Sequence, residues 1–248
     1  MEAREILEKY DGFEEIWKAT GGMYQCPKNS NGKRQGPLIG YAGTYEAGGK
    51  RLHFVGDAYF NFATIEEQPY LTEHFAIALA TLIVRNLGQP DWVLGAPMGG
   101  IILAHRVAYH LNCRALYAEK KVISPSSGEQ REQSTIVFNR HEPLPKTRGV
   151  IIDDVFHNYT TAAKLLDLAI KSHASVMGMA GPINRSSQTK FVKDGISYGA
   201  ISLLHIPTPQ FRQDDPDVTK DVKAGNVVWK PKTEWNRLRE AMEKSDSE

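Results

Sequence analysis

Between residues 71 and 207, short apolar runs alternate with longer stretches in which apolar positions recur every three to four residues. "YLTEHFAIALATLIVRNLG" has the helical spacing, with Thr72 placed to cap it and Gly88 to stop it. "DWVLGAP" reads as a strand, "GGIILAHRVAYHLN" as a helix and "RALYAEKKV" as a strand. A polar stretch from Ile123 to Thr147 follows, and then the strand "GVIID", the helix "TTAAKLLDLAIKSH" and the strands "SVMGMAGPI" and "YGAISLLHI". Apolar strands separated by helices predict an α/β fold, a mostly parallel twisted sheet with helices on both faces.

The flanks read differently. "MEAREILEKYDGFEEIWKAT" predicts an amphipathic helix with Ile6, Leu7, Phe13, Ile16 and Trp17 on or near one face. "PKNSNGKRQGPLIG" is rich in turn formers, and "YAGTYEAGGKRLHFVGDAYFNFA" predicts strands of a small hairpin-like unit. "WKPKTEWNRLREAMEK" predicts a closing helix. The expected division is an N-terminal helix and hood over 1–70, an α/β core over 71–207 and a C-terminal extension over 208–248.

Composition narrows the classes. The 248 residues are 41% hydrophobic, enough for a sizeable core, and 30 Lys plus Arg against 29 acids leave a net charge of +1. That balance gives no global reason to expect nucleic acid or an anionic membrane as partner. No apolar run approaches the roughly 18 to 20 residues of a membrane span. The N-terminus lacks the apolar core of a signal peptide, and two distant cysteines read as reduced thiols, so a cytoplasmic protein is expected. Cys/His clusters, a Ser-His-Asp arrangement and GxxxxGK[ST] are missing, which argues against bound zinc, a hydrolytic triad and a Walker site.

In parallel sheets of this kind ligands bind at the carboxyl ends of the strands. Three loops lie there: Ala96 to Gly100, "EKK" with the polar stretch after it, and "DDVFHNYTT". In the last, Asp153 and Asp154 follow the apolar strand directly. One acid capping the next helix and the other solvated is the plainer assignment. The alternative is a ligand clamp, because carboxylates accept hydrogen bonds that vicinal sugar hydroxyls donate. His157, Asn158, Tyr159, Thr160 and Thr161 would present backbone N–H groups and hydroxyls at a helix N-terminus, a place for phosphate. A sugar phosphate fits both halves.

An apolar strand, Asp-Asp, an apolar pair and a Thr-bearing loop opening a helix resemble the ribose-5-phosphate motif of type I phosphoribosyltransferases. Asp153, Asp154, Val155, Phe156, Thr160 and Thr161 match in type, whereas Tyr159 stands where the family commonly has glycine. "WVLGAPMGGIILAHRVA" is similar to the pyrophosphate-binding turn and helix of orotate phosphoribosyltransferases. "ALYAEKKV" resembles the next strand, with Glu119 where a basic residue is often found, and "HASVMGMAGPINRS" resembles the strand after the motif helix, with Arg185 near its end. The resemblance covers roughly Leu71 to Pro207.

What the resemblance implies is displacement at the anomeric carbon of phosphoribosyl diphosphate by a nitrogen base, with Mg²⁺ held mainly by the substrate and a homodimer as the assembly. Asp153 and Asp154 would hold ribose hydroxyls. The backbone of Met98, Gly99 and Gly100, with Lys120 or Lys121, would receive diphosphate. Orotate is the expected base, with Arg51 meeting its carboxylate and Tyr59 and Phe60 stacking on the ring; hydrophobic packing is the alternative role for these aromatics. The polar stretch occupies the position of the family's closing loop, with Arg131, Arg140 and His141 as candidates. Asp153, Asp154, Arg131 and His141 are the expected catalytic residues. A purine or other base, or a non-catalytic sensor of phosphoribosyl diphosphate, are the alternative functions.

Overall fold

The computed structural model describes residues 2–124 and 133–245. Helix α1 (Ala3–Lys9) ends where Tyr10 turns extended, and α2 (Phe13–Ala19) begins after Asp11 and Gly12. The single N-terminal helix expected from periodicity is therefore two, because two turn-forming residues interrupt it. Next come β1 (Met23–Gln25), β2 (Leu38–Ala47), β3 (Lys50–Gly56), β4 (Ala58–Phe60) and the short α3 (Ala63–Glu66). The strands β2 and β3 are antiparallel, as the hairpin-like pattern predicts.

The chain divides into two compact units. The larger holds residues 1–14 and 65–207. Its first long helix, α4 (Pro69–Leu87), has Pro at its start and stops at Gly88, whose φ is 88°. Pro suits the first turn, where its missing N–H would be unpaired anyway. Thr72 therefore lies inside the helix and not at its cap; its hydroxyl donates to Ile65 O (2.9 Å). Then follow β5 (Trp92–Gly95), α5 (Ile101–Leu111), β6 (Arg114–Tyr117), β7 (Glu119–Ser124), β8 (Gln133–Val137), β9 (Arg148–Ile152), β10 (Val155–Phe156), α6 (Thr160–Lys171), β11 (Ser175–Asn184), β12 (Lys190–Lys193) and β13 (Ile196–His205).

The central sheet runs β12-β13-β11-β9-β5-β6, with β10 beside β11. All pairings are parallel except the edge pair β12–β13. β5 and β9 are buried along almost their full length, as strands covered on both faces must be. α6 contributes Ala162, Leu165, Leu166 and Ala169, spaced as one helix face, to the core that also holds Trp92, Ile151 and Met179. The expected strand "RALYAEKKV" divides in two. β6 pairs with β5 only as far as Tyr117 opposite Gly95, where β5 ends, and β7 then pairs antiparallel with β8.

This order contains a reversal. β5 leads through α5 to β6 on one side, whereas β9 leads through α6 to β11 and β13 on the other. Beyond the carboxyl ends of β5 and β9 the two connections diverge, the position at which open sheets of this kind take up ligands.

The second unit holds residues 15–64 and those from 208 onward. Its last elements are α7 (Thr219–Lys223), β14 (Val227–Val228) and α8 (Trp235–Ser245). β14 adds to β2 in parallel, and Tyr24, Ile39, Tyr41, Val228 and Leu238 form its core. Cys26 and Cys113 are free thiols. Among the described residues no helix is long and apolar enough to cross a membrane.

Candidate active site

The acid pair stands where β9 ends at the reversal. Asp153 Oδ1 accepts from the Asp154 N–H (3.1 Å), and Asp154 Oδ1 accepts from the Val155 N–H (2.9 Å). Each carboxylate thus pins the turn it belongs to, and the chain resumes as β10 alongside Ile183 and Asn184. Burial, and then the neighbouring Asp154 charge, hold the Asp153 carboxyl well above the usual carboxylate range. Such a pair is costly to keep empty and fully ionised, and hydroxyl donors or positive charge would relieve it.

The turn after β5 packs against this pair. Ala96 N–H donates to Ile152 O (2.8 Å) and Gly100 N–H to Ala96 O (2.9 Å), which ties the turn to the end of β9. The Pro97–Met98 peptide is cis, and Met98 is exposed. A Cβ at Gly99 would lie 2.5 Å from Asp154 Cγ, and one at Gly100 would lie 2.5 Å from Ile152 O. Both positions therefore need glycine for close approach. The backbone of the turn and the Asp154 carboxylate face each other directly.

The third piece is the start of α6. Tyr159 adopts φ 56°, ψ 16°, the left-handed conformation, and precedes the first helical residue. Its ring is buried, 5.5 Å from Phe156 and 5.6 Å from Phe191 between centroids, and its hydroxyl donates to Gln188 O (2.8 Å). The residue that replaces glycine thus takes the conformation glycine gives, and packing in the core offsets the cost. Thr160 N–H and Oγ1 both donate to Asn158 Oδ1, at 3.3 and 2.9 Å. Burial, and then the Arg185 charge, push the His157 imidazole down to about 4. His157 is therefore neutral at pH 7, beside a buried guanidinium.

A family model for the phosphoribosyl transferase domain matches residues 65–202, more than half of the chain. The chain belongs to this family.

Among relatives of the phosphoribosyl transferase domain, an orotate phosphoribosyltransferase of Heliobacterium modesticaldum is 28% identical over 130 residues. That match covers 52% of this chain and 62% of the relative, so it leaves more than a third of the relative unmatched. An orotate phosphoribosyltransferase of Methylorubrum extorquens is 28% identical over 152 residues, 61% of this chain and 70% of the relative. Solved structures include an orotate phosphoribosyltransferase from Aeropyrum pernix, at 16% identity and TM-score 0.48, covering 78% of this chain and 93% of that one. An adenine phosphoribosyltransferase from Rhodothermus marinus has 20% identity and TM-score 0.46, covering 60% and 86%.

The other expected residues lie on further elements of the two units. Lys120 and Lys121 are exposed on β7, opposite Ile136 and Thr135. Glu119 is engaged by Arg140 (Nε to Oε1, 3.4 Å) and accepts from Asn139 Nδ2 (3.2 Å), so a cation does stand beside this acid. His141 Nε2 accepts from the Tyr117 N–H (3.1 Å), which leaves its proton on Nδ1 and holds the ring at the sheet edge. Arg131 lies outside the described residues. Arg51, Tyr59 and Phe60 belong to the second unit. Arg51 is exposed and its Nε donates to Thr44 Oγ1 (2.8 Å). Tyr59 lies 6.4 Å from the Trp235 ring and the buried Phe60 lies 5.9 Å from Trp17.

One residue of the larger unit escaped sequence reasoning. Glu66 is pushed up to about 7, by burial first and then by the Asp154 charge. In "ATIEEQP" nothing separates it from a solvated acid before a helix. Among the described residues no group of three or more His, Cys, Asp or Glu side chains could hold a metal ion.

Proposed function

We propose that the protein transfers a phosphoribosyl group from phosphoribosyl diphosphate to a nitrogen base, releasing diphosphate. The observation that carries this reading is the contact between Asp154 and the Gly99 backbone at the sheet's reversal, because it sets a hydroxyl acceptor against an amide-lined turn. Asp153 and Asp154 accept from ribose hydroxyls, the amides of residues 158–161 and His157 with Arg185 receive the 5-phosphate, and the Met98–Gly100 turn with Lys120 or Lys121 receives diphosphate. Breaking the anomeric bond gathers positive charge on the ribose, and the two acids stabilise it electrostatically. Positioning of both substrates supplies much of the remainder.

The two aspartates fit a hard cation brought with the substrate's own oxygens, which Mg²⁺ prefers along with several waters. When bound, that ion would neutralise diphosphate charge.

The names of the relatives support orotate as the base. The same proposal takes Arg51, Tyr59 and Phe60 as base-facing residues, Arg131 and His141 as residues serving the closing loop, and a homodimer as the assembly. The division into hood, 71–207 core and C-terminal extension belongs to the same proposal.

The test is calorimetric titration of phosphoribosyl diphosphate with Mg²⁺ into wild type and the double variant Asp153→Asn/Asp154→Asn, followed by diphosphate release with a panel of bases. Binding lost in the variant and release only with orotate are expected. Release with purines alone would replace the base, binding without release for any base would make the protein a sensor, and no binding by wild type would overturn the reading.

A further inference from the structure

In the second unit, Trp229 follows β14 and is 46% exposed. A Cβ at Gly40 would lie 2.1 Å from Trp229 Cε3 and 2.7 Å from Cζ3, so the six-membered ring rests on the Gly40 backbone. Only glycine leaves it that room. One face of the indole is taken by the sheet, and its exposure falls on the other. The His53 ring stands beside it, 6.3 Å away between centroids and inclined at 62°.

The register of β2 and β3 brings a cation to the same face. Gly40 pairs with Val55, Thr44 with His53 and Glu46 with Arg51. Val55, His53 and Arg51 are alternate residues of β3, so they share the face on which Trp229 lies. Arg51 does not rest on the acid opposite it: its Nε donates to Thr44 Oγ1 (2.8 Å), two residues back along β2. The side chain therefore leans along the sheet to the level of His53, towards Trp229.

An open indole face takes a flat ring, and aromatic stacking of this kind accepts any heterocyclic base. The guanidinium is a planar fork of donors that matches a carboxylate or carbonyl on the edge of such a ring. Glu46, exposed on the same face, makes a polyanion such as diphosphate a poorer fit than a singly charged ring.

We propose that Trp229 is the stacking platform of a site for a planar heterocyclic base, with Arg51 receiving the carboxylate or carbonyl at the ring's edge. The proposal rests on the phosphoribosyl reading for the class of base and adds a recognition residue from the C-terminal extension. The pairing selects a ring that carries an acceptor group, since a plain apolar ring leaves Arg51 unused and a free phosphate leaves the indole unused.

The experiment is calorimetric titration of orotate and of uracil, the same ring without the carboxylate, into wild type, Trp229→Leu and Arg51→Gln. Both are run with and without saturating ribose 5-phosphate and Mg²⁺, and ribose 5-phosphate is titrated alone as the control. Trp229→Leu should weaken both bases at least tenfold. Arg51→Gln should weaken orotate at least tenfold and uracil no more than threefold, and ribose 5-phosphate affinity should stay within twofold throughout. Base affinities within twofold of wild type in Trp229→Leu would overturn this inference alone. Equal losses for bases and ribose 5-phosphate, with a lowered melting temperature, would also overturn it by marking a structural residue. If Trp229→Leu does not fold, NMR saturation of the Trp229 indole protons in wild type decides: transfer to the orotate ring proton supports the site, and none overturns it. Wild type that binds ribose 5-phosphate but neither base would overturn the inference alone, whereas binding of none of the three would overturn the phosphoribosyl reading with it.

Discussion

The Asp154 carboxylate occupies the space that a side chain at residue 99 would need: a Cβ built on Gly99 would stand 2.5 Å from Asp154 Cγ. Gly99→Ala therefore forces the end of a side chain to move, whereas Gly100→Ala drives a methyl group into the Ile152 carbonyl, which is backbone and cannot yield. The first should lower phosphoribosyl diphosphate affinity tenfold or more with little change in melting temperature. The second should cost about 1–3 kcal/mol of stability, as overpacking does. Calorimetry and urea unfolding of both variants separate the two effects, and a reversed pattern would mean that Asp154 does not face the ligand.

Tyr159 divides into a backbone role and a side-chain role. Tyr159→Phe removes the hydroxyl, with its hydrogen bond to Gln188 O, and should cost about 0.5–1.5 kcal/mol. Tyr159→Gly keeps the left-handed conformation but empties the space between Phe156 and Phe191, and should cost about 3–5 kcal/mol, as large aromatic deletions do. Urea unfolding measures both. A Gly variant as stable as wild type would show that the ring contributes nothing.

His157 should titrate near 4 in the free protein, below its ordinary 6.5, because burial and Arg185 disfavour the charged ring. The unfolded chain then binds more protons than the folded one between about 6.5 and 4, so this residue makes stability fall as pH drops through that window. A phosphate dianion in the loop favours the charged ring. NMR titration of the imidazole with and without ribose 5-phosphate should show its pKa rise on binding. An unmoved value would place the phosphate elsewhere.

Glu66 acts with the opposite sign. Its folded pKa of about 7 exceeds its ordinary 4.5, so the folded state holds the proton longer and stability falls as pH rises from about 4.5 to 7. Glu66→Gln should flatten that part of the stability profile, measured by urea unfolding at several pH values. A slope identical to wild type would assign the pH dependence to other groups.

The strands and helices of the core were legible because buried parallel strands such as "WVLG" and "GVII" leave continuous apolar runs. The acids after β9 were legible as candidates for a ligand site because two adjacent carboxylates can accept several hydroxyl donors, whereas their second use, accepting the N–H groups of their own turn, shows only in the structure. Helix starts were harder to read: Thr72 resembles a cap, yet Pro69 begins α4 three residues earlier. The parting of β7 from β6 depends on where a partner strand ends, which local sequence does not encode. That Tyr159 can stand where the family commonly has glycine was not legible, because the pocket that holds its ring includes the distant Phe191 as well as Phe156. Glu66 was illegible because its character arises from burial in the folded chain and then from the charge of Asp154, 88 positions away.

A glycine at residue 159 would let the loop open and close independently of the core. With an aromatic ring anchored in the core instead, the amides of residues 158–161 share the fate of Phe156, Phe191 and the hydrophobic cluster around them. Proteolytic cleavage within this loop should therefore follow global unfolding rather than local fluctuation. The proposed anion site is then as durable as the domain itself, formed before any ligand arrives and lost only when the whole unit melts.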